Sequence, residues 1–378
     1  MTTCTSTKGA ARRTSSNTGT MRSLPTGSRG DQSSALFPAG LRSLHSDQTS
    51  SVGGLRMAQD FTHQPVLLAE VVEAFRPVPS GVIVDATLGG AGHAAALLDS
   101  RPDLGILGMD RDPDAVDAAR RRLAGFEERA VIHPGRFSQV ASIVADARQQ
   151  PIGRWPAFDS GTTEITGILA DLGVSSHQLD LAERGFSFSA DGPLDMRMDD
   201  STGESAASLL DRLDLDSLTR LLREHGEGRY ARRIARAILD ARPITSTGEL
   251  VDVVDRAVPK ADRRRGHVAS RTFQALRVEV NDEFAELDTL LAAALGLLAP
   301  AGRLVVISYH SGEDARVKHT MRRWADGDCV CPPGMPCVCG ATSLGLLVSR
   351  RSIVASADEL VANPRARSAR LRAFEVAS

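Results

Sequence analysis

Residues 167–178 read GILADLGVSSHQ: an apolar run ends in Asp171, then passes through Gly173 to two serines, a histidine and a glutamine. A serine near a histidine suggests a nucleophile with its base. The sharp turn that exposes a hydrolase serine needs glycine two residues before and two after it. Gly173 precedes Ser175 at that distance, but His177 stands where the second glycine belongs, so the hydrolase reading fails. A carboxylate at the end of an apolar run has another use: at the lip of a cleft it accepts hydrogen bonds or a proton from a ligand.

The segment VIVDATLGGAGH supplies a neighbour for Asp171. Its apolar run 82–84 ends in Asp85, and Gly89, Gly90 and Gly92 follow where the chain turns toward a helix. Glycine lets a backbone approach a ligand closely, and a helix start offers free amides. The glycines lack the G-x-G-x-x-G spacing of the dinucleotide fingerprint, and a tight turn without a ligand would use them equally well. The next apolar run, LGILGMD, ends in Asp110, 18 residues after Gly92. An acid in that position accepts hydrogen bonds from ribose hydroxyls. NAD, S-adenosylmethionine and nucleosides all carry such a ribose, and spacing alone leaves the choice among them open. Asp110 or Asp112 could instead cap a helix at PDAV.

A third cluster, SYHSGEDARVK, gathers His310, Ser311, Glu313, Asp314, Arg316 and Lys318 after an apolar run. It suits either the wall of a substrate pocket or a capped, solvated helix start. Arg229, Arg232, Arg233 and Arg236 recur at helical spacing, and Lys260, Arg263, Arg264 and Arg265 crowd PKADRRRGH. Such stripes contact phosphates, or pair with local acids on an ordinary wet face. Cys4 stands alone, whereas Cys329, Cys331, Cys337 and Cys339 fall together in DCVCPPGMPCVCG. Four thiolates complete a tetrahedral zinc site, although C-x-C is tighter than the usual C-x-x-C, and free thiols or an opportunistic disulfide are the alternatives.

These side chains need a scaffold, and 378 residues with 42% hydrophobic content bury a sizeable core. The net charge of -2 announces no global field for nucleic acid, so phosphate contacts would come from local clusters. No apolar run reaches the roughly 18 residues of a membrane span. Without a secretory leader, clustered cysteines fit a reducing, cytoplasmic setting. From residue 80 the order strand, glycine turn, helix, strand, acid, helix is that of a parallel sheet with helices on its faces, and ITGILADLGV, GRLVVISYHS and RLRAFEV continue the sheet. Residues 181–290 lack strand signals and carry helical runs. The expected organisation is a sheet domain over 57–180 and 291–378, with a Cys-rich loop at 329–339 and an inserted helical substrate-recognition domain at 181–290. Residues 1–56, rich in Ser, Thr, Gly and Arg, read as a disordered basic tail or as sequence upstream of a start at Met57.

Taken together, HQPVLLAEVV, DATLGGAGH, GMDRDPDA, GRFS, ADLGVSSHQLDLAERGFSFSADGPLDMRMD, YHSGEDARVK and NPRARSARLR resemble the MraW/RsmH family of bacterial ribosomal RNA methyltransferases, over roughly residues 61–376. The resemblance implies an α/β, class I S-adenosylmethionine-dependent methyltransferase fold with a Rossmann-like sheet and an inserted helical domain. It also implies methyl transfer from S-adenosylmethionine to the exocyclic N4 amine of a cytosine in the decoding region of 16S ribosomal RNA. The implied partner is that RNA, within the small ribosomal subunit; a homodimer is a candidate assembly, and the sequence leaves the oligomeric state open.

By matched position, the turn at Gly90, Ala91, Gly92 and His93 would face the methionine part of the cofactor. Asp110 would hold the ribose, Phe137 would lie beside the adenine, and Asp171 and Gln178 would make further cofactor contacts. Asp171, with Ser175, Ser176 and His310 as further candidates, would orient the amine and take its proton, while the flipped base enters a pocket. The general base stays unassigned among them. Plain roles remain open for several: Phe137 as core, Gln178 as a helix cap, His93 bonded to backbone. This chain departs from the family where Ala91 stands at a common glycine, His177 at a usual proline, and Tyr309 and Gly312 at the Phe and Leu of F-H-S-L-E-D.

Overall fold

Seven apolar segments form one sheet: β1 (Gly81–Asp85), β2 (Leu104–Asp110), β3 (Ala130–Pro134), β4 (Ile165–Asp171), β5 (Leu298–Ser308), β6 (Gly345–Leu347) and β7 (Arg370–Val376). The computed structural model describes residues 65–149, 164–263, 268–332, 335 and 337–378, without the side chains of Glu127, Ser176 and Arg263. The tail expected over 1–56, with Cys4, and the arginines Arg264 and Arg265 lie outside the described residues. The strand order is β3-β2-β1-β4-β5-β7-β6. Strands β1 to β5 pair in parallel, and β7 runs antiparallel to both β5 and β6. This is the class I methyltransferase sheet that the resemblance implies.

Side chains on a strand alternate between faces, and both faces of this sheet are covered, which is why its strands read as continuous apolar runs. Ile83, Ile106, Val305 and Ile307 join one core, with Val71 and Phe75 of α1 (Leu68–Phe75) and Leu97 and Leu98 of α2 (Gly92–Ser100). Val82, Val84, Leu107, Met109, Leu304 and Val306 join the opposite core. Helix α3 (Pro113–Arg122) starts cleanly because Asp112 caps it, its carboxylate accepting from the N–H of Asp114, with Pro113 in the first turn. Helix α4 (Val140–Gln149) follows β3.

After β4 the chain forms the short α5 (Ser176–Asp180) and then a helical insertion. It comprises α6 (Ala206–Arg212), α7 (Leu215–Glu224), α8 (Ala231–Ala241), α9 (Thr247–Ala257), α10 (Lys260–Arg263) and α11 (Val268–Val280). These helices share a core of their own that runs from Phe186 to Leu276. Helix α12 (Glu283–Leu297) does not belong to it: Leu287, Leu290, Leu291 and Ala294 pack with the sheet's Val82, Val84 and Leu304. The helical cluster therefore closes at α11, ahead of the boundary expected at residue 290. A helical period shows that a face is buried, but not which core buries it. Helix α13 (Ser311–Asp326) follows β5, and α14 (Ala357–Ala362) precedes β7. Among the described residues no helix is long and apolar enough to cross a membrane.

The strand order reverses between β1 and β4, with β2 and β3 stepping outward on one side and β5 on the other. Ligands of such sheets bind at the carboxyl ends of the strands at that switch point. Asp85, Asp110 and Asp171 are the last residues of β1, β2 and β4.

Candidate active site

A cavity of about 390 Å³ opens at these strand ends, within the range of small-molecule sites. Gly89, Gly90, Gly92, His93, Asp110, Phe137, Asp171, Ser175 and Gln178 all line it, so most of the residues expected around the cofactor meet in one place.

The glycine turn is shaped from three sides. Leu88 donates its N–H to Met109 O, and Gly89, at φ +50°, donates to Asp110 Oδ2 at 2.8 Å. Ala91 takes the left-handed conformation at φ 57° as the residue before α2, which explains why glycine would suit its position. Its side chain is fully buried in the core with Leu88 and Ala94 and does not line the cavity. Ala91 therefore takes part through its backbone, in a turn whose neighbours Gly90 and Gly92 both line the cavity. Gly92 is held to glycine by packing, since a Cβ there would lie 2.3 Å from Pro65 Cγ.

Asp110 uses its two oxygens on the N–H groups of Gly89 (2.8 Å) and Asp112 (2.9 Å). Burial nonetheless raises its pKa to about 6. Each carboxylate oxygen keeps a further acceptor site, as two ribose hydroxyls require. Asp85, which does not line the cavity, lies buried with its carboxylate accepting from the Thr87 N–H, and burial pushes it up to about 7. Phe137 lines the cavity from the turn after β3, held there because the N–H of Ser138 donates to Glu286 of α12.

Asp171 sits between two partners. The Tyr309 hydroxyl donates to its Oδ1 at 2.8 Å, and His93 Nδ1 lies 3.9 Å from its Oδ2. Its backbone N–H donates to Thr87 Oγ1 at 2.6 Å. Burial raises the Asp171 pKa, outweighing the pull of His93 and the Tyr309 hydrogen bond. Burial and the adjacent Asp171 push the Tyr309 phenol far up, so it stays a donor. His93 Nε2 pairs with Val66 O at 2.9 Å, so the plain backbone role and the place beside the cavity coexist.

Ser175 and Gln178 form a reciprocal cap on α5: Ser175 Oγ accepts from the Gln178 N–H, and Gln178 Oε1 accepts from the Ser175 N–H. Gln178 Nε2 also donates to Asp112 Oδ2 at 2.6 Å, joining the end of β4 to the end of β2. Gln178 therefore acts as the cap and as part of the wall. His177 falls inside α5 without disrupting it. Ser176 is the first residue of that helix.

His310 does not line the cavity. It caps α13, and its Nε2 lies 3.1 Å from Glu313 Oε1 but outside hydrogen-bonding alignment. Glu313 spends its other oxygen on the N–H groups of Tyr309 (2.9 Å) and His310 (3.3 Å). Glu283 takes a two-pronged ion pair from Arg277 at 2.7 and 2.9 Å. This buried cluster fixes the backbone under Tyr309, which corrects the reading of His310 as a group facing the reaction. Its carboxylates are already committed, so it is a strut.

Sequence reasoning did not single out Arg277, Arg111, Arg365, Ser368 or the Tyr309 hydroxyl as wall groups, yet all five residues line the cavity. The arginines of the expected phosphate stripe do not. Arg232, Arg233 and Arg236 are exposed on the outer face of α8, with Arg232 paired to Asp216 at 2.8 Å. Arg229 lies 3.8 Å from Asp262 and stacks over Tyr230.

The four clustered thiols converge. Cys329, Cys337 and Cys339 lie 3.5 to 3.6 Å apart, Cys331 Sγ accepts from the Val338 N–H at 3.3 Å, and all four sulfurs lie within 4.8 Å of one another.

The family model described as the MraW methylase family matches residues 60–377. A ribosomal RNA small subunit methyltransferase H of Geobacter sulfurreducens is 49% identical over 321 residues, 83% of this chain and 99% of the relative. Proteins of the same description from Heliobacterium modesticaldum and Myxococcus xanthus are 46% and 49% identical, covering 83% and 84% of this chain and 98% of each relative. Among solved structures, a rRNA methylase from Streptococcus thermophilus aligns over 82% of this chain and 94% of its own, at 9% identity and a TM-score of 0.34.

Proposed function

The chain belongs to the MraW methylase family, and from that premise we propose that it methylates the exocyclic N4 amine of a cytosine in the decoding region of 16S ribosomal RNA. It is an S-adenosylmethionine-dependent methyltransferase of small-subunit ribosomal RNA. The observation that carries the reading is the single cavity bounded by Asp110 at one strand end and Asp171 at another. Family membership leaves no support for a hydride-transferring NAD enzyme on a similar sheet.

The residues fit the cofactor. Asp110 offers spare acceptor sites for ribose hydroxyls, Phe137 offers a flat apolar wall for adenine, and the turn at 89–93 leads on to Asp171, where the methionine end belongs. When bound, S-adenosylmethionine supplies an electrophilic methyl group on sulfonium. The cytosine amine is a poor nucleophile because its lone pair is delocalised into the ring. The protein's part is to hold that amine with its lone pair toward the methyl and to receive the proton it sheds. Asp171 Oδ2, facing His93 across 3.9 Å, is the acceptor, and Tyr309 fixes the carboxylate through Oδ1. The Ser175 hydroxyl, with its oxygen accepting from Gln178, keeps a proton to donate to the base. The enzyme acts in the cytoplasm on RNA of the small ribosomal subunit.

Incubation with labelled S-adenosylmethionine and small subunits, free 16S RNA or DNA, followed by nucleoside mass analysis, tests the reading. N4-methylcytidine in the RNA is the expected product. Its absence from every RNA, with the cofactor bound, overturns the proposal, and label in DNA alone redirects it.

Replacing Tyr309 by Phe should lower kcat about fivefold, the equivalent of the ~1 kcal/mol of one hydrogen bond. It should also move the acid limb of the pH–rate profile to higher pH, because the Asp171 carboxylate loses a donor that favours its charged form. An unmoved profile would show that the hydroxyl does not act on Asp171.

The Cys-rich loop is proposed to hold a structural zinc ion that takes no part in methyl transfer. Zn–S bonds of about 2.3 Å in a tetrahedron place sulfurs about 3.8 Å apart, close to the spacing found. Among the described residues no cysteine pair approaches the roughly 2.05 Å of a disulfide. Val330 and Val338 are 84% and 89% exposed, so the loop has no apolar core to order it, and a metal would replace one. The N–H groups of Val330 and Ala341 lower the Cys339 thiol pKa while the neighbouring sulfurs raise that of Cys329, so one thiol of the group gives up its proton far more readily than the other. Protein purified without chelator should carry about one zinc per chain. Cys337→Ser should lose it and exchange amide hydrogens faster across 329–340, with cofactor affinity unchanged. Zinc content near zero in the parent protein would remove the site.

A further inference from the structure

The C-terminal segment 349–372 carries six arginines against two acids, Asp358 and Glu359. The Glu359 carboxylate is occupied by the N–H of Leu67 at 2.7 Å. The fold brings one of these arginines, Arg365, to the cavity wall and gathers the others near the start of β7. Arg370 opens β7 opposite Ser308, the carboxyl end of β5. A bridge between Ile353 and Leu371 places Arg350 and Arg351 on the same edge, where Arg370 Nη1 donates to Ser352 Oγ at 3.2 Å. The 3-10 turn Pro364–Ser368 adds Arg365 and Arg367, and Arg365 and Ser368 line the cavity beside Tyr309.

Few of these guanidiniums are neutralised. Arg372 is paired with Asp314, and Arg365 meets Asp180 at 2.5 Å. Arg350, Arg351 and Arg367 are exposed and have no carboxylate partner among the described residues. Holding unpaired like charges together is unfavourable unless a polyanion uses them. The α8 stripe differs in place, since none of its arginines lines the cavity, and its Arg229 and Arg232 face acids.

We propose that the rim formed by Arg350, Arg351, Arg365, Arg367 and Arg370 grips the RNA phosphates flanking the target nucleotide while its base enters the cavity. The proposal rests on the reading of ribosomal RNA as substrate. A base that leaves its stack carries its own backbone to the mouth of the pocket, and phosphates on either side must meet cations there. The rim reaches the cavity through Arg365 and adds to the basic groups Arg122 and Arg136 that also line it, whereas no arginine of α8 lines the cavity.

The test compares Arg350→Ala/Arg351→Ala/Arg367→Ala with Arg232→Ala/Arg233→Ala/Arg236→Ala in the full chain, measuring affinity for transcribed 16S RNA across a salt series and S-adenosylmethionine affinity by calorimetry. The rim variant should bind RNA at least tenfold more weakly near 0.15 M salt, with cofactor affinity unchanged. Its salt slope should fall by about 2, as three lost single-strand phosphate contacts require. The α8 variant should change less. A rim variant with parent-like RNA affinity and slope overturns the proposal, as does a larger loss from the α8 variant. Failure of the parent protein to bind RNA at any salt, with cofactor bound, would instead bring down the substrate reading and the rim with it.

Discussion

Asp171→Asn should lower kcat by a factor on the order of 10² to 10³ while changing S-adenosylmethionine affinity only a few-fold, because the amide keeps the shape and the Tyr309 hydrogen bond but cannot take a proton. A purely cofactor-holding Asp171 would give the opposite split, a large rise in Kd with kcat nearly intact at saturation. That outcome would remove its role toward the amine. The pH dependence has a definite sign. Burial raises the Asp171 pKa, the acceptor must be ionised, and so kcat/KM falls as pH drops through that raised value. Asn should abolish this limb along with most of the rate. Stability should move the other way. A carboxyl whose pKa is raised by folding contributes most below its unfolded value and loses that contribution as pH rises through the folded one. Above that raised value the ionised Asp171 is therefore a burden on the fold, and there Asp171→Asn should melt at a higher temperature than the parent protein. The gap should shrink as pH falls toward 4. A variant that is inactive and also less stable than the parent protein across the whole pH series would point to collapse of the site rather than loss of a base.

Much of this site could be read from sequence where the information is local. Each strand end that carries an acid follows a continuous apolar run, because strands covered on both faces need apolar side chains throughout, and Asp110 and Asp171 stood out for that reason. The cysteines stood out through spacing alone. The contacts that give Asp171 its properties were hidden because they join distant parts of the chain. Tyr309 lies 138 residues from Asp171, and the sequence marked it only as a departure from a family pattern, with no sign of where its hydroxyl would point. Arg277 reaches the cavity from the insertion through a buried pair with Glu283 across the break between α11 and α12, a spacing of six that no helix-pair rule marks in sequence. The stripe on α8 drew attention because helical spacing is visible in sequence. The arginines at the rim are gathered by a bridge between residues 353 and 371 and by the turn before β7, so they become a surface only in the fold. Strand β6 has three residues and no periodicity to detect. Its place is set by pairing with β7.

Asp110→Ala should weaken S-adenosylmethionine binding about 100-fold. Two hydrogen bonds from ribose hydroxyls to a charged acceptor contribute roughly 1.5 kcal/mol each at the low end, and about 1.4 kcal/mol is a factor of ten. Part of the loss would come through the turn, since Ala also strips the N–H groups of Gly89 and Asp112 of their acceptor. A pH series separates the two contributions. With its pKa near 6, Asp110 in the parent protein gives up an acceptor site as it protonates. Cofactor affinity should therefore fall as pH drops from 7 to 5. In Asp110→Ala the turn is equally disturbed at every pH, so the curve should flatten across that window. Asp85, near 7 and beneath the same turn, titrates in both proteins, and the difference between the two curves belongs to Asp110. Parallel curves would mean that Asp110 serves the turn alone and that the ribose is held elsewhere in the cavity.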